Sequence, residues 1–119
     1  MEWKLDDDRP IWLQLSQQLA RRIVTGTYPP GSRLPSVREL AAEAGVNPNT
    51  MQRAMSHLEQ EGLARADRTA GRLVTQDTAA LEAVRLREAE AVIRRYLEAM
   101  SALGYSREQA AGLLKEGTS

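Results

Sequence analysis

Between residues 47 and 60 the chain spaces four hydrogen-bonding side chains so that a helix would carry them along one side: Asn49, Arg53, Ser56 and Gln60. At about 100° per residue they fall opposite Met51, Ala54, Met55 and Leu58. An amide, a guanidinium, a hydroxyl and a second amide, with no carboxylate among them, suit the edges of paired bases. Arginine can bond guanine O6 and N7 in two-point fashion, and asparagine or glutamine can do the same with adenine N6 and N7. Arg65, Arg68 and Arg72 come next with only Asp67 against them, a local positive cluster. Duplex nucleic acid is the ligand this chemistry points to.

Such side chains need elements to hold them. Pro35–Gly62 predicts two short helices joined by a tight turn. Ser36 can cap the first, with Glu39 at the capping-box spacing. Val37, Leu40, Ala41 and Ala44 mark its apolar face, and Gly45 supplies a left-handed C-terminal stop. Asn47 is the expected N-cap of the second helix, with Pro48 at its first position and Gly62 at its end. Helix, glycine-containing turn, helix is the helix-turn-helix pattern, in which the second helix enters the major groove. Ser36 and Arg38 stand in the first turn of the leading helix, where free N–H groups and the dipole favour a backbone phosphate. A nucleotide-binding P-loop is not expected here, because the GK[ST] ending and a preceding strand are both missing.

The flanking segments fit around that unit. Trp3–Leu5 reads as a short edge strand or a packing segment, and Asp8 as a cap for the first helix. From Pro10 to Thr25, Ile11, Leu15, Leu19 and Ile23 recur every four residues, with Trp12, Ala20 and Val24 widening the stripe of an amphipathic helix ended by Gly26. Tyr28–Ser32 is a Pro/Gly turn. Residues 63–66 and 72–75 predict two strands around a loop at 67–71. A hairpin directly after a helix-turn-helix is a wing, and its tip would put Arg68 and Thr69 beside phosphates or the minor groove.

Composition bounds the alternatives. The 119 residues carry 16 basic and 16 acidic side chains, a formal net charge of zero, which weighs against nucleic-acid binding unless positive charge is concentrated locally. Phe is absent and aromatics are 4%, so the core must be aliphatic. Without cysteine there is neither a disulfide nor a thiolate metal site. Asp6–Asp8 converge with no further ligands, so no metal or other cofactor is expected. His57 is the single histidine, with no Ser–His–Asp arrangement evident, so an enzyme is not expected. The N-terminus is polar and acidic and no apolar run could cross a bilayer, which leads to a cytoplasmic protein with no membrane partner. The competing reading is a winged-helix module that binds protein or RNA without reading duplex sequence, and it calls for an apolar patch on the second helix.

Residues 10–75 resemble the winged helix-turn-helix domain of GntR-family bacterial transcriptional regulators. The carriers are PPGSRLPSVRELA, GVNPNT and LEQEGL in register, and the short tail with NPNT is similar to the small YtrA-type subfamily. The resemblance implies that Arg38 contacts a phosphate or base and that Asn49 and Thr50 contact DNA from the start of the recognition helix. Asn47 and Gln52 join Arg53 in the expected contact set. Family wings commonly carry Gly-x-Gly, then an aromatic and Val; here Thr69 stands at the first Gly and Leu73 at the aromatic, while Gly71 and Val74 remain.

From Thr78 to Leu103 the chain lacks Pro and Gly and is rich in Ala, Leu, Glu and Arg. Leu81, Val84, Ala89, Val92, Ile93, Tyr96, Leu97 and Met100 form its apolar stripe. Gly104 ends it, and Ser106 with Gln109 opens another helix through a second capping box. The expected fold is therefore mainly α with a small β-hairpin: a winged helix-turn-helix over residues 8–76, then a two-helix tail over 77–119. Two such helices cannot make a core alone. A homodimer through that stripe matches a palindromic operator, and the resemblance points the same way. The function so read is sequence-specific transcriptional regulation, as a repressor, with a small-molecule effector between dimerising helices as an open expectation.

Overall fold

The computed structural model describes residues 2–117. They form five helices and one hairpin: α1 (Ile11–Val24), α2 (Val37–Ala44), α3 (Pro48–Gln60), β1 (Ala64–Asp67), β2 (Gly71–Val74), α4 (Thr78–Ala102) and α5 (Arg107–Gly117). The chain divides into two compact units, one reaching to Arg85 and one from Leu86 onward.

The first unit is built on helix ends written in the sequence. The Ser36 hydroxyl accepts from the Glu39 N–H at 3.1 Å while the Glu39 carboxylate accepts from the Ser36 N–H at 3.3 Å, a complete capping box. Gly45 stops α2 at φ +70°, in the left-handed region that suits a residue without Cβ. Asn47 Oδ1 accepts from the Asn49 N–H at 2.7 Å, and Pro48 opens α3. Leu15, Leu19 and Ile23 of α1 then meet Leu40, Met51, Met55, Leu58 and Leu63 in one core.

The start of α1 departs from expectation. Its N-cap is Pro10, with no side-chain cap, so Asp8 does not cap it. No side chain takes its place; buried Gln14 instead anchors the incoming segment of chain, donating to the Arg9 carbonyl at 2.9 Å. Residues 3–5 form no strand. Trp3 and Leu5 pack on the core, and the segment is tied down by two glutamines. Gln14 bonds both the N–H and the carbonyl of Asp6, and Gln18 does the same with Lys4.

The hairpin pairs Ala64 with Val74 and Asp67 with Gly71, so each strand lies one residue closer to the turn than the spacing suggested. Asp67 draws the turn in. Its Oδ1 accepts from the Thr69 N–H, the Thr69 hydroxyl and the Ala70 N–H at 2.9–3.0 Å. Residues 31–34 run beside β2, with an antiparallel bridge between Arg33 and Leu73 and bonds from Leu34 N to Arg72 O and from Val74 N to Ser32 O.

Asp77 Oδ1 accepts from Ala79 N and Ala80 N and so caps α4, a signal the sequence reading passed over. Val84 is 5% exposed within the core of the first unit, and Leu81 packs against that core. Of these two expected interface positions, Leu81 is half-buried, and Val84 has almost no surface left for a partner. In the second unit the Ser106–Gln109 capping box is complete, and Tyr96 donates its hydroxyl to the Ala110 carbonyl at 2.6 Å. Among the described residues no helix is long and apolar enough to cross a membrane.

Candidate nucleic-acid interface

The apolar positions of α3 are buried, which turns its polar side outward. Asn49, Gln52, Arg53 and Gln60 are exposed, while Thr50 and Ser56 are half-buried. Gln52 Nε2 donates to the Ser56 hydroxyl at 3.2 Å, one helical turn away. Asn47 is exposed as well, with its Oδ1 committed to the cap. The two carboxylates at the end of this helix are engaged elsewhere. Glu59 pairs with Arg72 of the wing, and Glu61 lies 3.2 Å from His57. The exposed face thus keeps donors and acceptors and no exposed carboxylate, and it carries no apolar patch of the kind a protein-docking module would need.

Beside α3 lies the start of α2. The capping box occupies the N–H groups of Ser36 and Glu39. The Arg38 side chain is exposed and makes no hydrogen bond or ion pair among the described residues. A cleft of about 270 Å³ separates this helix start from the wing, lined by Arg33, Ser36, Gly71 and Arg72. Arg33 is an addition the sequence reading missed. Its exposed side chain reaches the neighbourhood of Gly71 because its backbone pairs with β2, and only that pairing could have signalled it.

At the wing, Arg68, Thr69 and Gly71 are exposed, and Gly71 sits at φ +84°. Thr69 replaces a glycine without adopting a positive φ, since its backbone and hydroxyl are both held by Asp67. The three hydrogen bonds, led by that from the Thr69 N–H, hold the Asp67 carboxyl below its ordinary value of 3.8, with nearby Arg65 adding to the effect. Arg72 is not the free cation it seemed. Its guanidinium is paired with Glu59, which fastens the wing to α3 and leaves Arg65 and Arg68 as the wing's outward positive charge.

His57 has a structural setting. Its Nδ1 lies 2.7 Å from the Ser16 hydroxyl and 3.2 Å from Glu61. Serine and carboxylate converge on the same ring nitrogen, whereas a nucleophile–base–carboxylate relay uses the two opposite nitrogens. The group ties α1 to α3.

In the second unit the expected interface positions Ala89, Val92 and Ile93 are exposed, and Tyr96, Leu97 and Met100 are half-buried. Val92, Ile93, Tyr96 and Leu97 face Ala111 and Leu114 of α5 across an apolar groove of about 560 Å³.

Comparison with known proteins agrees with this geometry. Residues 12–74, more than half the chain, match the profile of bacterial regulatory proteins of the gntR family. The HTH-type transcriptional regulator YhcF of Bacillus subtilis is 31% identical over 109 residues, covering 92% of this chain and 90% of its own. The HTH-type transcriptional repressor YtrA of the same organism is 40% identical over 68 residues, 57% of this chain and 52% of its own. Among solved structures, a GntR family transcriptional regulator from Listeria monocytogenes superposes with a TM-score of 0.83 at 36% identity, over 94% of this chain and 98% of that one. An acid-free α3 face, a wing braced against it and a family match spanning both lead to one conclusion: this chain belongs to the GntR family of DNA-binding transcriptional regulators.

Proposed function

We propose that the protein is a repressor that reads a two-fold symmetric operator as a homodimer, with α3 in the major groove of each half-site. The observation that carries this reading is the outward face of α3, where Asn49, Gln52 and Arg53 stand exposed while both nearby carboxylates are held by Arg72 and His57. Asn49 and Arg53 have the donor patterns for adenine and guanine edges, with Asn47, Thr50 and Gln52 around them. Ser36, Arg38, Arg33 and the wing residues Arg68, Thr69 and Gly71 supply phosphate contacts that fix register. A formal net charge of zero is no obstacle, since positive side chains gather around the α2 start and the wing. The similar YtrA is a transcriptional repressor, and occupancy of a promoter by a dimer would suffice for that function.

The homodimer rests on the second unit. Val92 and Ile93 are 52% and 54% exposed, and with Leu114 they border an apolar groove that a second copy of the same helices can fill. Sedimentation should return a dimer at micromolar concentration, and binding of the upstream region of its own gene should be tighter than micromolar at low salt. A monomer at all concentrations, or no duplex bound better than micromolar, overturns the reading. Arg38→Ala should weaken binding to all sequences alike and lower the slope of log affinity against log salt by about one; an unchanged slope removes Arg38 from the phosphate contacts.

A further inference from the structure

The Arg53 side chain makes no hydrogen bond or ion pair among the described residues, yet it has a seat. Its Cζ lies over the Trp12 indole, 4.2 Å from the ring centroid. Trp12 comes from the first turn of α1, 41 positions upstream, and is half-buried. The indole is itself held, because the His57 ring meets it edge-on with centroids 5.3 Å apart and planes at 68°. His57 in turn is fixed by the buried Ser16 hydroxyl and by Glu61. A chain of contacts thus runs from the α1–α3 packing to one guanidinium on the exposed face of α3.

We propose that Trp12 is a positioning residue for DNA reading: its indole holds the Arg53 guanidinium by the face and presents it to the two-acceptor edge of a guanine in the major groove. The inference rests on the operator-reading function above and adds to it a residue that touches no base. The five N–H donors of a guanidinium lie in its plane, so attraction to an aromatic ring beneath uses the face and leaves the edge for another acceptor. A free arginine side chain must give up many rotamers to make a two-point contact, whereas one already seated gives up fewer. An aromatic ring is needed for this, and an aliphatic side chain of similar bulk would fill the space without supplying the attraction.

The test enriches duplexes from a random-sequence pool with the full-length wild type and with Trp12→Leu, Trp12→Met, Trp12→Tyr, Arg53→Ala and the Trp12→Leu/Arg53→Ala double variant. Thermal melting confirms that each is folded. Wild type should fix a guanine at one position of each half-site, and Arg53→Ala should lose roughly tenfold discrimination there. Trp12→Leu and Trp12→Met should relax that same position and no other. Trp12→Tyr should retain the preference, and the double variant should match Arg53→Ala alone. Replacing that guanine with 7-deazaguanine should cost wild type the same factor and cost Trp12→Leu nothing further.

Unchanged preference in both aliphatic variants overturns the proposal, as does a loss spread evenly over all positions, which would mark Trp12 as a purely structural residue. If a methylphosphonate at the neighbouring phosphate, rather than 7-deazaguanine, abolishes the difference between wild type and Trp12→Leu, Arg53 is a phosphate clamp and the guanine assignment is wrong. Failure of wild type to enrich any sequence refutes the operator-reading function itself, and this inference with it.

Discussion

The two compact units treat their apolar residues in opposite ways. In the first, Leu15, Leu19, Leu40, Met51, Leu58 and Leu63 are fully buried, and the buried polar groups Gln14, Ser16 and Arg22 all have partners. In the second, Ala110 is the buried residue among those described, while Val92, Ile93, Leu103 and Leu114 are more than half exposed. The first unit satisfies itself as a monomer. The second has the composition of half a core, and apolar surface left open in water is surface that association would cover.

That contrast can be broken in four places. The largest effect is expected inside the first unit, where Leu58→Ala should cost about 2–5 kcal/mol of stability, because a methyl replaces a fully enclosed isobutyl group. Denaturant titration measures it, and a cost below ~1 kcal/mol would mean that the core is less complete than it looks. Next comes Ile93→Asp, which should weaken the proposed dimer at least tenfold, about 1.4 kcal/mol, while leaving the melting of the first unit unchanged. Sedimentation equilibrium reads the first quantity, and an unaltered dimer would clear the Ile93 face of any role.

Ser36→Ala removes the hydroxyl that accepts from Glu39 N and should cost about 1 kcal/mol. Ser36→Asp, which can still cap, should restore most of it in the same assay. The smallest effect is at the wing tip. The folded wing holds the Asp67 carboxyl below 3.8, so the carboxylate favours the folded turn above that value and ceases to do so as pH falls through the lowered folded value. Amide exchange at Thr69 and Ala70 should therefore accelerate as pH drops from about 5 toward 3, beyond the intrinsic pH trend. In Asp67→Asn that extra acceleration should vanish, and its persistence would mean that another group controls the tip.

What the sequence disclosed divides along the same line as the physics. The helix-turn-helix was legible because each of its signals is local: Ser36 with Glu39, Gly45, and Asn47 with Pro48 act across four residues or fewer. The strand positions were off by one because the three-bond turn at Asp67 takes backbone groups that a spacing rule leaves to the loop. Pairings distant in sequence were invisible. Nothing in a helical wheel couples Arg53 to Trp12, or shows that Arg72 is spent on Glu59. The stripe from Leu81 to Met100 marked one apolar face of a helix. It could not show that Val84 finds cover within the protomer while Val92 and Ile93 do not, because periodicity identifies a face and says nothing of what lies against it.

The glutamine pair that fastens the N-terminal segment carries its own consequence. Four residues of helix rise about 6 Å, and two residues of extended chain advance about 6.6 Å, so Gln14 and Gln18 meet Asp6 and Lys4 nearly in step. Each primary amide matches the N–H and the carbonyl of one residue, with Gln14 also reaching the Arg9 carbonyl, and never addresses the side chain of the residue it grips. The grip itself is accordingly indifferent to the side chains at positions 4 and 6, proline excepted, although the Asp6 carboxylate has its own contact with Arg9. An ionised glutamate at position 14 or 18 would keep the acceptor for the N–H and lose the donor to the carbonyl. The fastening works like a zip that is particular about the slider and indifferent to the cloth.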